Sequence, residues 1–482
     1  MKLSQLLENI QIRELSASME MEITGVSYDS RTTTEGDLYV AVRGYATDGH
    51  KYISGAVKNG AAAVLCEEKP QEDIPYVLVD DSRLALAQLG GNWYGHPADE
   101  MTVIGVTGTN GKTTVTYLLK SVLEQTVDAK VGLIGTIQNM IGDEVLETER
   151  TTPESFEVQK LFRQMADAGC THVVMETSSH ALYLNRLHGI RFKVGVFTNL
   201  TEDHLDFHKT MEEYRKAKEI LFRNCEVGVF NLDDAAAEAM MQSASCEVLT
   251  CSIGKDNADL CARNLKLKSD CVEFDAVIGN EINRFHLNIP GKFSAYNAMS
   301  VIGAAKALGL PLQKIADALR NASGVKGRVE VVPTPGKEYT ILIDYAHTPD
   351  GLENVLSSVQ DYCQGRVIAV FGCGGDRDPF KRPIMGKIGV DLADFVVFTS
   401  DNPRTEDPHE ILRQIVAGVG NSKTPYKVIE NRREAIRWAM DHAKKDDIIV
   451  LAGKGHETYQ ILGTEKTHLD EREEVAAHLN GN

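Results

Sequence analysis

The chain has 482 residues, of which 43% are hydrophobic and 25% charged, and its formal net charge is −18. That length accommodates two to four domains at about 100–200 residues each, and the composition is that of an ordinary globular protein. The acidic balance argues against a nucleic-acid binder or a binder of anionic membranes, which need basic surface, but leaves phosphorylated small substrates open, because these need only a local cluster of Lys, Arg and backbone N–H groups.

At the N-terminus Leu3, Leu6, Leu7 and Ile10 recur at helical spacing, and Glu8 interrupts the apolar run that a signal peptide would need. No apolar run reaches the ~18 residues of a membrane span. The nine cysteines are an odd number with no C-x-x-C pair, which fits reduced thiols, most of them small core residues. Together these features predict a cytoplasmic protein. Residues 1–98 read as a small α/β unit, with strand-like runs at 37–42, 62–65 and 76–79 and a helix at 84–94. His96-Pro97-Ala98-Asp99 marks a hinge, since Pro stops the preceding helix. A second unit, 99–328, opens with the apolar strand 102–106. A long helix is expected from about 290 to 308, and the segment 324–328 closes the unit. In the third unit, 329–482, strands at 340–343, 366–371, 395–399 and 448–452 alternate with helices at 409–419 and 432–442. That alternation predicts a parallel, doubly wound, Rossmann-like sheet. The expectation is therefore an α/β protein of three domains, with a P-loop-type mononucleotide-binding sheet in the middle. There is no internal repeat or low-complexity tract.

Three segments carry chemistry. The first is Gly108-Thr109-Asn110-Gly111-Lys112-Thr113-Thr114, which joins the strand 102–106 to a helix at 115–123. Backbone N–H groups of such a loop, with a helix N-terminus behind them, hold phosphate oxygens. Lys112 would reach the terminal phosphates and the Thr113 hydroxyl would join a Mg²⁺ shell, which points to ATP. The strict P-loop pattern wants Gly where Val106 stands, so this is a variant; an ordinary strand-to-helix turn is the alternative. The second segment is the strand 171–175 followed by Glu176-Thr177-Ser178-Ser179-His180. A carboxylate at the C-terminal end of an α/β strand faces ligand, and Glu176 suits Mg²⁺, although a solvated loop Glu fits as well. The third is 197–208, dense in possible ligands at Asp203, His204, Asp206 and His208. Zn²⁺ on His204 and His208 is conceivable by spacing, but no nearby Cys or third His completes a tetrahedral set, and a capped helix start also fits.

In this order the segments resemble the Mur ligase family, ATP-dependent amide-bond ligases of peptidoglycan assembly. The resemblance runs along the whole chain. Asp29-Ser30-Arg31, Gly36-Asp37-Leu38-Tyr39-Val40-Ala41 and Asp48-Gly49-His50 mark the first unit. Thr151-Thr152-Pro153 and Pro290-Gly291-Lys292-Phe293, with Asn297 beyond, add to the second. Gly327-Arg328 with Glu330, Asp344-Tyr345-Ala346-His347-Thr348-Pro349, Asp401-Asn402-Pro403-Arg404 and Gly453-Lys454-Gly455-His456-Glu457 mark the third.

The resemblance implies a ligase that adds meso-diaminopimelate to UDP-N-acetylmuramoyl-L-alanyl-D-glutamate through an acyl phosphate, with ATP and Mg²⁺. It implies that Lys112, Glu176, His204 and a carbamylated Lys218 serve catalysis, with Thr113, Glu176, His204 and Lys218 around the metal. Asn297, Arg328 and Asp344 would join the 108–114 loop in contacting ATP. Ser30 and the 39–45 region would meet the uridine nucleotide, and Thr151, Thr152, Ser178 and Arg186 the muramoyl-peptide. Arg382, Asp401, Asn402, Pro403, Arg404, Gly453 and Glu457 would bind diaminopimelate. Arg404 is the substrate clue, because a guanidinium can clamp the second carboxylate that lysine lacks. Arg150 stands where relatives often have Asn, and Leu184 where some have Gln. A monomer without nucleic-acid or membrane partners completes the expectation. Its alternatives are a lysine-adding sister ligase and a P-loop ATPase that makes no amide.

Overall fold

Short β-branched runs bounded by Gly, Pro and Asp build three main sheets. The computed structural model describes residues 1–44, 47–148, 150–322 and 324–481. They group into two units. One comprises Met1–Lys112, Leu123–Phe230 and Asp234–Leu249, the other Thr113–Val122, Asn231–Asp233 and Thr250–Asn482.

The first unit begins with a five-stranded sheet in the order Glu14–Leu15, Tyr76–Leu78, Ala63–Cys66, Asp37–Val40, Gly25–Ser27. Every residue of Asp37–Val40, Ala63–Cys66 and Tyr76–Leu78 is buried, as expected for strands covered on both faces. The N-terminal helix is only Leu3–Leu6, yet Leu3, Leu6, Leu7 and Ile10 all enter the core with Leu86 and Leu89 of the helix Ser82–Tyr94. Asp81 caps that helix by accepting from Leu84 N–H, and Gly95 ends it in the left-handed region. The expected hinge is a short 3₁₀ turn, Pro97–Glu100, entered through His96 at φ 52°.

The same unit holds a second, parallel sheet. The strand Thr102–Thr107 lies between His172–Glu176 and Phe192–Phe197, and Val131–Ile134 flanks His172–Glu176 on the far side. Gly105 is required here. A Cβ on it would sit 2.9 Å from Leu221 and Phe192, so glycine lets the helix Met211–Arg223 pack close to the sheet. Because the strands are parallel, the C-terminal ends of Thr102–Thr107, His172–Glu176 and Phe192–Phe197 share one edge, and all three chemistry-bearing segments follow from it.

In the second unit an antiparallel meander, Leu260–Leu267, Val272–Ile278 and Glu281–Leu287, precedes the helix Lys292–Ala307. The C-terminal sheet runs Glu330–Val332, Thr340–Asp344, Ile448–Ala452, Val367–Phe371, Phe395–Phe398, Tyr426–Val428, parallel apart from its first strand. This is the doubly wound arrangement, with apolar cores on both faces. Among the described residues no helix is long and apolar enough to cross a membrane.

One ion pair in the second unit is wholly inside. Arg432 and Glu471 are both fully buried, and Arg432 also donates to the carbonyls of Ser400 and Ala452. Removing one partner of such a pair strands the other charge. Glu471→Ala should cost about 3–5 kcal/mol, read as a lower urea midpoint. Arg13→Ala, in the exposed pair with Asp80, should change stability by less than about 0.5 kcal/mol.

Candidate active site

The loop after Thr102–Thr107 is held from beside by the segment after Phe192–Phe197. Thr198 Oγ1 donates to Asn110 O at 2.7 Å, Asn199 Oδ1 accepts from Asn110 N at 2.9 Å, and Thr109 N donates to Asn199 O at 2.9 Å. Gly108 (φ 150°) lies against Thr198 Oγ1 with no room for a Cβ, and Gly111 (φ 87°) leads into the helix Lys112–Val127. The Lys112 ammonium folds back over the loop, donating to Gly108 O at 2.9 Å and Thr109 O at 2.8 Å. A cation and backbone N–H groups at a helix start suit a phosphate cradle. Thr113 and Thr114 follow in the first turn of that helix, and Thr113 is buried with its carbonyl accepting from Thr116.

Lys218 is the unusual member. It lies on the helix Met211–Arg223, is 1% exposed, and donates from Nζ to Gly108 O at 3.0 Å. Its Nζ also sits 4.4 Å above the Tyr214 ring. Burial, then the nearby Lys112 charge, hold its amine well below the usual lysine range, against the pull of Asp203.

Glu176 ends its strand with no exposure. Its carboxylate accepts from Thr136 N at 2.9 Å and from Thr136 Oγ1 at 3.0 Å. Thr152 Oγ1 donates to Glu176 O and accepts from Ser178 N, so the 151–152 and 176–178 segments are stitched together. Ser178 caps the helix Ser179–Tyr183, and Leu184 is its C-terminal cap. Arg186 donates to Thr152 O at 3.1 Å and pairs with Glu154 at 3.2 Å. Arg83 and Arg150 also face Glu154, at 3.6 and 3.8 Å. Three guanidiniums around one carboxylate leave a positive surplus beside Thr151 and Thr152. The sequence reading did not include Arg83.

His204 stands at φ 53°, half-exposed, with its ring 4.9 Å from His180 and 6.1 Å from Tyr214. His208 is buried, with Nε2 2.9 Å from Ser179 Oγ, and burial beside His180 lowers it to about 4. Among the described residues the one group of three His, Cys, Asp or Glu ligand atoms close enough to hold an ion is Cys271, Glu273 and His286, in the second unit. Glu176 and His204 do not form such a group. Ser30, in the first sheet's loops, is half-buried and accepts from Asn59 through its carbonyl; Tyr45, at the end of the expected nucleotide-contacting region, lies outside the described residues.

The second unit has its own site, a cavity of about 540 Å³ lined by Asp401, Asn402, Arg404, Gly453 and Glu457. Lys454 organises it from below. Fully buried, it reaches Asp401 at 3.5 Å, Asn402 Oδ1 at 3.0 Å and Glu457 at 3.1 Å. Asn402 Nδ2 donates to Glu457 at 3.0 Å. Arg404 takes φ 52° and donates to Gly375 O at 2.7 Å. Pro403 turns the chain and does not line the cavity. Neither does Arg382. It is 1% exposed and spent on Glu406, Gln414 and Gly374 O, which corrects its expected role as an amino-acid ligand. Arg377, five residues earlier, lines the cavity instead, as do Lys381 and His347. The signal for Arg377 was present in Gly374-Gly375-Asp376-Arg377, a loop after an apolar strand.

Asp344 ends the strand Thr340–Asp344, where it accepts from Val329 N and Ala346 N at 2.8 Å each; burial raises its carboxyl, opposed by Arg328. Arg328 lies over the Tyr345 ring, 5.3 Å from its centroid. Asn297 is buried on the helix Lys292–Ala307.

Models of three families match consecutive stretches: "Mur ligase family, catalytic domain" over 22–94, "Mur ligase middle domain" over 106–305, and "Mur ligase, glutamate ligase domain" over 327–455. The chain belongs to the Mur ligase family. Its relatives include UDP-N-acetylmuramoyl-L-alanyl-D-glutamate--2,6-diaminopimelate ligases. That of Clostridium botulinum is 49% identical over 98% of this chain and 99% of its own length. That of Listeria monocytogenes is 43% identical over 98% of each. A solved structure of a ligase of that name superposes with a TM-score of 0.76 at 32% identity, covering 100% of this chain and 99% of its own. A Thermotoga maritima MurF ligase solved with ADP shares the fold, with a TM-score of 0.60 at 19% identity, over 91% of this chain and 95% of its own.

In this Mur ligase Gly135 abuts Glu176, and an added Cβ would lie 2.6 Å from Oε1. Gly135→Ala should swing the carboxylate off Thr136 and lower ATP-dependent turnover by roughly 10-fold or more, the loss of one good positioning contact. Steady-state phosphate release measures it, with the melting temperature as control for folding.

Proposed function

We propose that this chain is an ATP-dependent ligase that adds meso-diaminopimelate to the D-glutamate of UDP-N-acetylmuramoyl-L-alanyl-D-glutamate, in cytoplasmic peptidoglycan precursor synthesis. The observation that carries the reading is the cavity around Arg404, which sets guanidinium and ammonium groups opposite carboxylates. Diaminopimelate bears two carboxylates and two amines. Arg404 and Arg377 suit the carboxylate of the end that does not react, and Glu457 and Asp401 suit its ammonium. Lysine lacks that carboxylate, so its binding would leave the cavity-facing donors of Arg404 without their ligand partner, which favours diaminopimelate.

The reaction asks mainly for positioning and charge neutralisation. An oxygen of the D-glutamate side-chain carboxylate attacks the γ-phosphorus of ATP, the bond to ADP breaks, and an acyl phosphate forms. The neutral amine of diaminopimelate attacks the acyl carbon, phosphate leaves, and the nitrogen loses a proton. Lys112 and the 108–114 loop hold the γ-phosphate, with Asn297, Arg328 and Asp344 as further ATP contacts. Thr151, Thr152, Ser178 and Arg186 orient the muramoyl-dipeptide, with Ser30 toward its nucleotide. Mg²⁺, when bound, would neutralise phosphate charge. Thr113, Glu176 and His204 offer oxygen and nitrogen ligands for it, and Lys218 fits once modified. A protonated lysine has only donors, but the neutral amine that burial favours at Lys218 can add CO₂, release a proton and present carbamate oxygens. The reading takes 1–98, 99–328 and 329–482 as the domains of a monomer.

Amide formation is tested by mass, with UDP-muramoyl-dipeptide and either meso-diaminopimelate or lysine. A product with diaminopimelate is expected; preference for lysine, or ATP turnover without amide, would sink the proposal. Arg404→Ala should lower kcat/KM for diaminopimelate by about 100-fold or more, worth ~3 kcal/mol for a charged bidentate contact. Arg377→Ala should raise KM for the same substrate, and Arg382→Met should instead lower stability. Lys218→Ala should abolish turnover, with partial rescue by added short carboxylates, and unimpaired activity without rescue would remove the carbamate from the proposal.

A further inference from the structure

At the opposite edge of the sheet from the phosphate loop, two cysteines meet. Cys225 opens the strand Cys225–Asn231, just after the helix Met211–Arg223, and Cys246 precedes the strand Glu247–Ser252. Both are free and only partly buried. The backbone brings them together: Ser245 N donates to Phe222 O, which places Cys246 beside the end of that helix. The sheet makes room for them. Gly195 and Gly228 are partners across neighbouring parallel strands, one strand spacing of about 4.8 Å apart. The Cys225 sulfur lies 3.0 Å from where a Cβ on Gly195 would be, and the Cys246 sulfur 2.8 Å from where one on Gly228 would be. Phe222 packs against both glycine positions. Two side-chain-free positions in register thus form a bay, open to solvent on one side, that holds two sulfurs.

The register-paired glycines set the two sulfurs side by side. The neighbouring Cys225 thiol holds the Cys246 thiol below its ordinary value, while the Cys246 thiol and burial push Cys225 up. The thiolate is the reacting form, which favours Cys246, the one of the two whose thiol is lowered, as the attacking sulfur. Burial instead pushes Cys66, Cys251, Cys271 and Cys373 up to about 12.

We propose that Cys225 and Cys246 are a reversible oxidation site that closes to a disulfide. With a hydroperoxide as oxidant, the Cys246 thiolate attacks the terminal oxygen and the O–O bond breaks. The alkoxide or hydroxide takes a proton and leaves as alcohol or water, giving a sulfenic acid. The Cys225 sulfur then attacks that sulfur, and its proton departs with the hydroxyl as water. A dithiol reverses the step by exchange. The crosslink ties the start of one strand to the start of the next and leaves the residues at the phosphate-loop edge in place.

The test uses the full chain treated with hydrogen peroxide, blocked with an alkylating reagent, digested and mapped by mass. The expected result is a crosslinked peptide pair containing Cys225 and Cys246, two of the nine thiols lost, restoration by dithiothreitol, and a higher melting temperature for the oxidised form. Cys246→Ser should abolish both the crosslink and the melting shift. Cys225→Ser should leave a trappable sulfenic acid on Cys246. The proposal is overturned if peroxide-treated wild type yields no such pair while both residues are alkylated freely, or if Cys246→Ser oxidises and shifts as wild type does.

Discussion

A lysine side chain without a carboxylate partner sets the character of the first unit's site. Lys218 reaches Gly108 O from a helix packed under the loop, and no hydrogen-bonded carboxylate among the described contacts offsets its burial. Burial disfavours an ammonium there and lowers the amine well below the usual lysine range. The consequences spread outward. The helix Met211–Arg223 must lie close enough for the reach, which demands glycine at 105 where Leu221 and Phe192 press on the strand. Tyr214, one turn earlier, covers the amine with its ring and contacts Thr109 with its hydroxyl at 3.3 Å. The loop is thereby gripped from two directions, by Lys218 below and by 198–201 beside it.

The second unit solves the opposite problem with the same residue type. Lys454 is also fully buried, but it meets Asp401, Asn402 and Glu457. Its charge is matched, and it fixes three side chains that a cavity needs in place. Gly453 makes this possible: at φ 112° it leaves the space beside Asp401 Oδ2 open, where a Cβ would lie 2.7 Å away. One buried lysine thus meets a carbonyl and a ring, and the other two carboxylates and an amide.

Much of this was legible in the sequence because it is local. The glycine loop after a strand, Glu176 at a strand end and the alternating elements of 329–482 follow from periodicity and turn residues alone, and the strands Thr340–Asp344, Val367–Phe371, Phe395–Phe398 and Ile448–Ala452 lie where expected. The meander Leu260–Leu287 was not legible, since its strands are half-exposed with mixed polarity. Nor was the burial of Lys218, which depends on a helix packing over a distant glycine. Arg377 and Arg382 sit five residues apart in one basic segment, and what separates them is Glu406, 24 residues further on, which claims Arg382.

Arg404 shows how such distant partners tune specificity. Its backbone is not free to choose the left-handed conformation; N–H donates to Ile461 O and C=O accepts from Gly463 N, so the hairpin Tyr459–Leu462 and Glu465–His468 grips it on both sides. Held in that way, the side chain spans to Gly375 O and keeps donors turned to the cavity. A flexible arginine would spend rotamer entropy on each ligand carboxylate it bound. This one has spent part of it on folding, so on the proposed reading the hairpin, which supplies no residue to the cavity lining, would help set what the cavity selects.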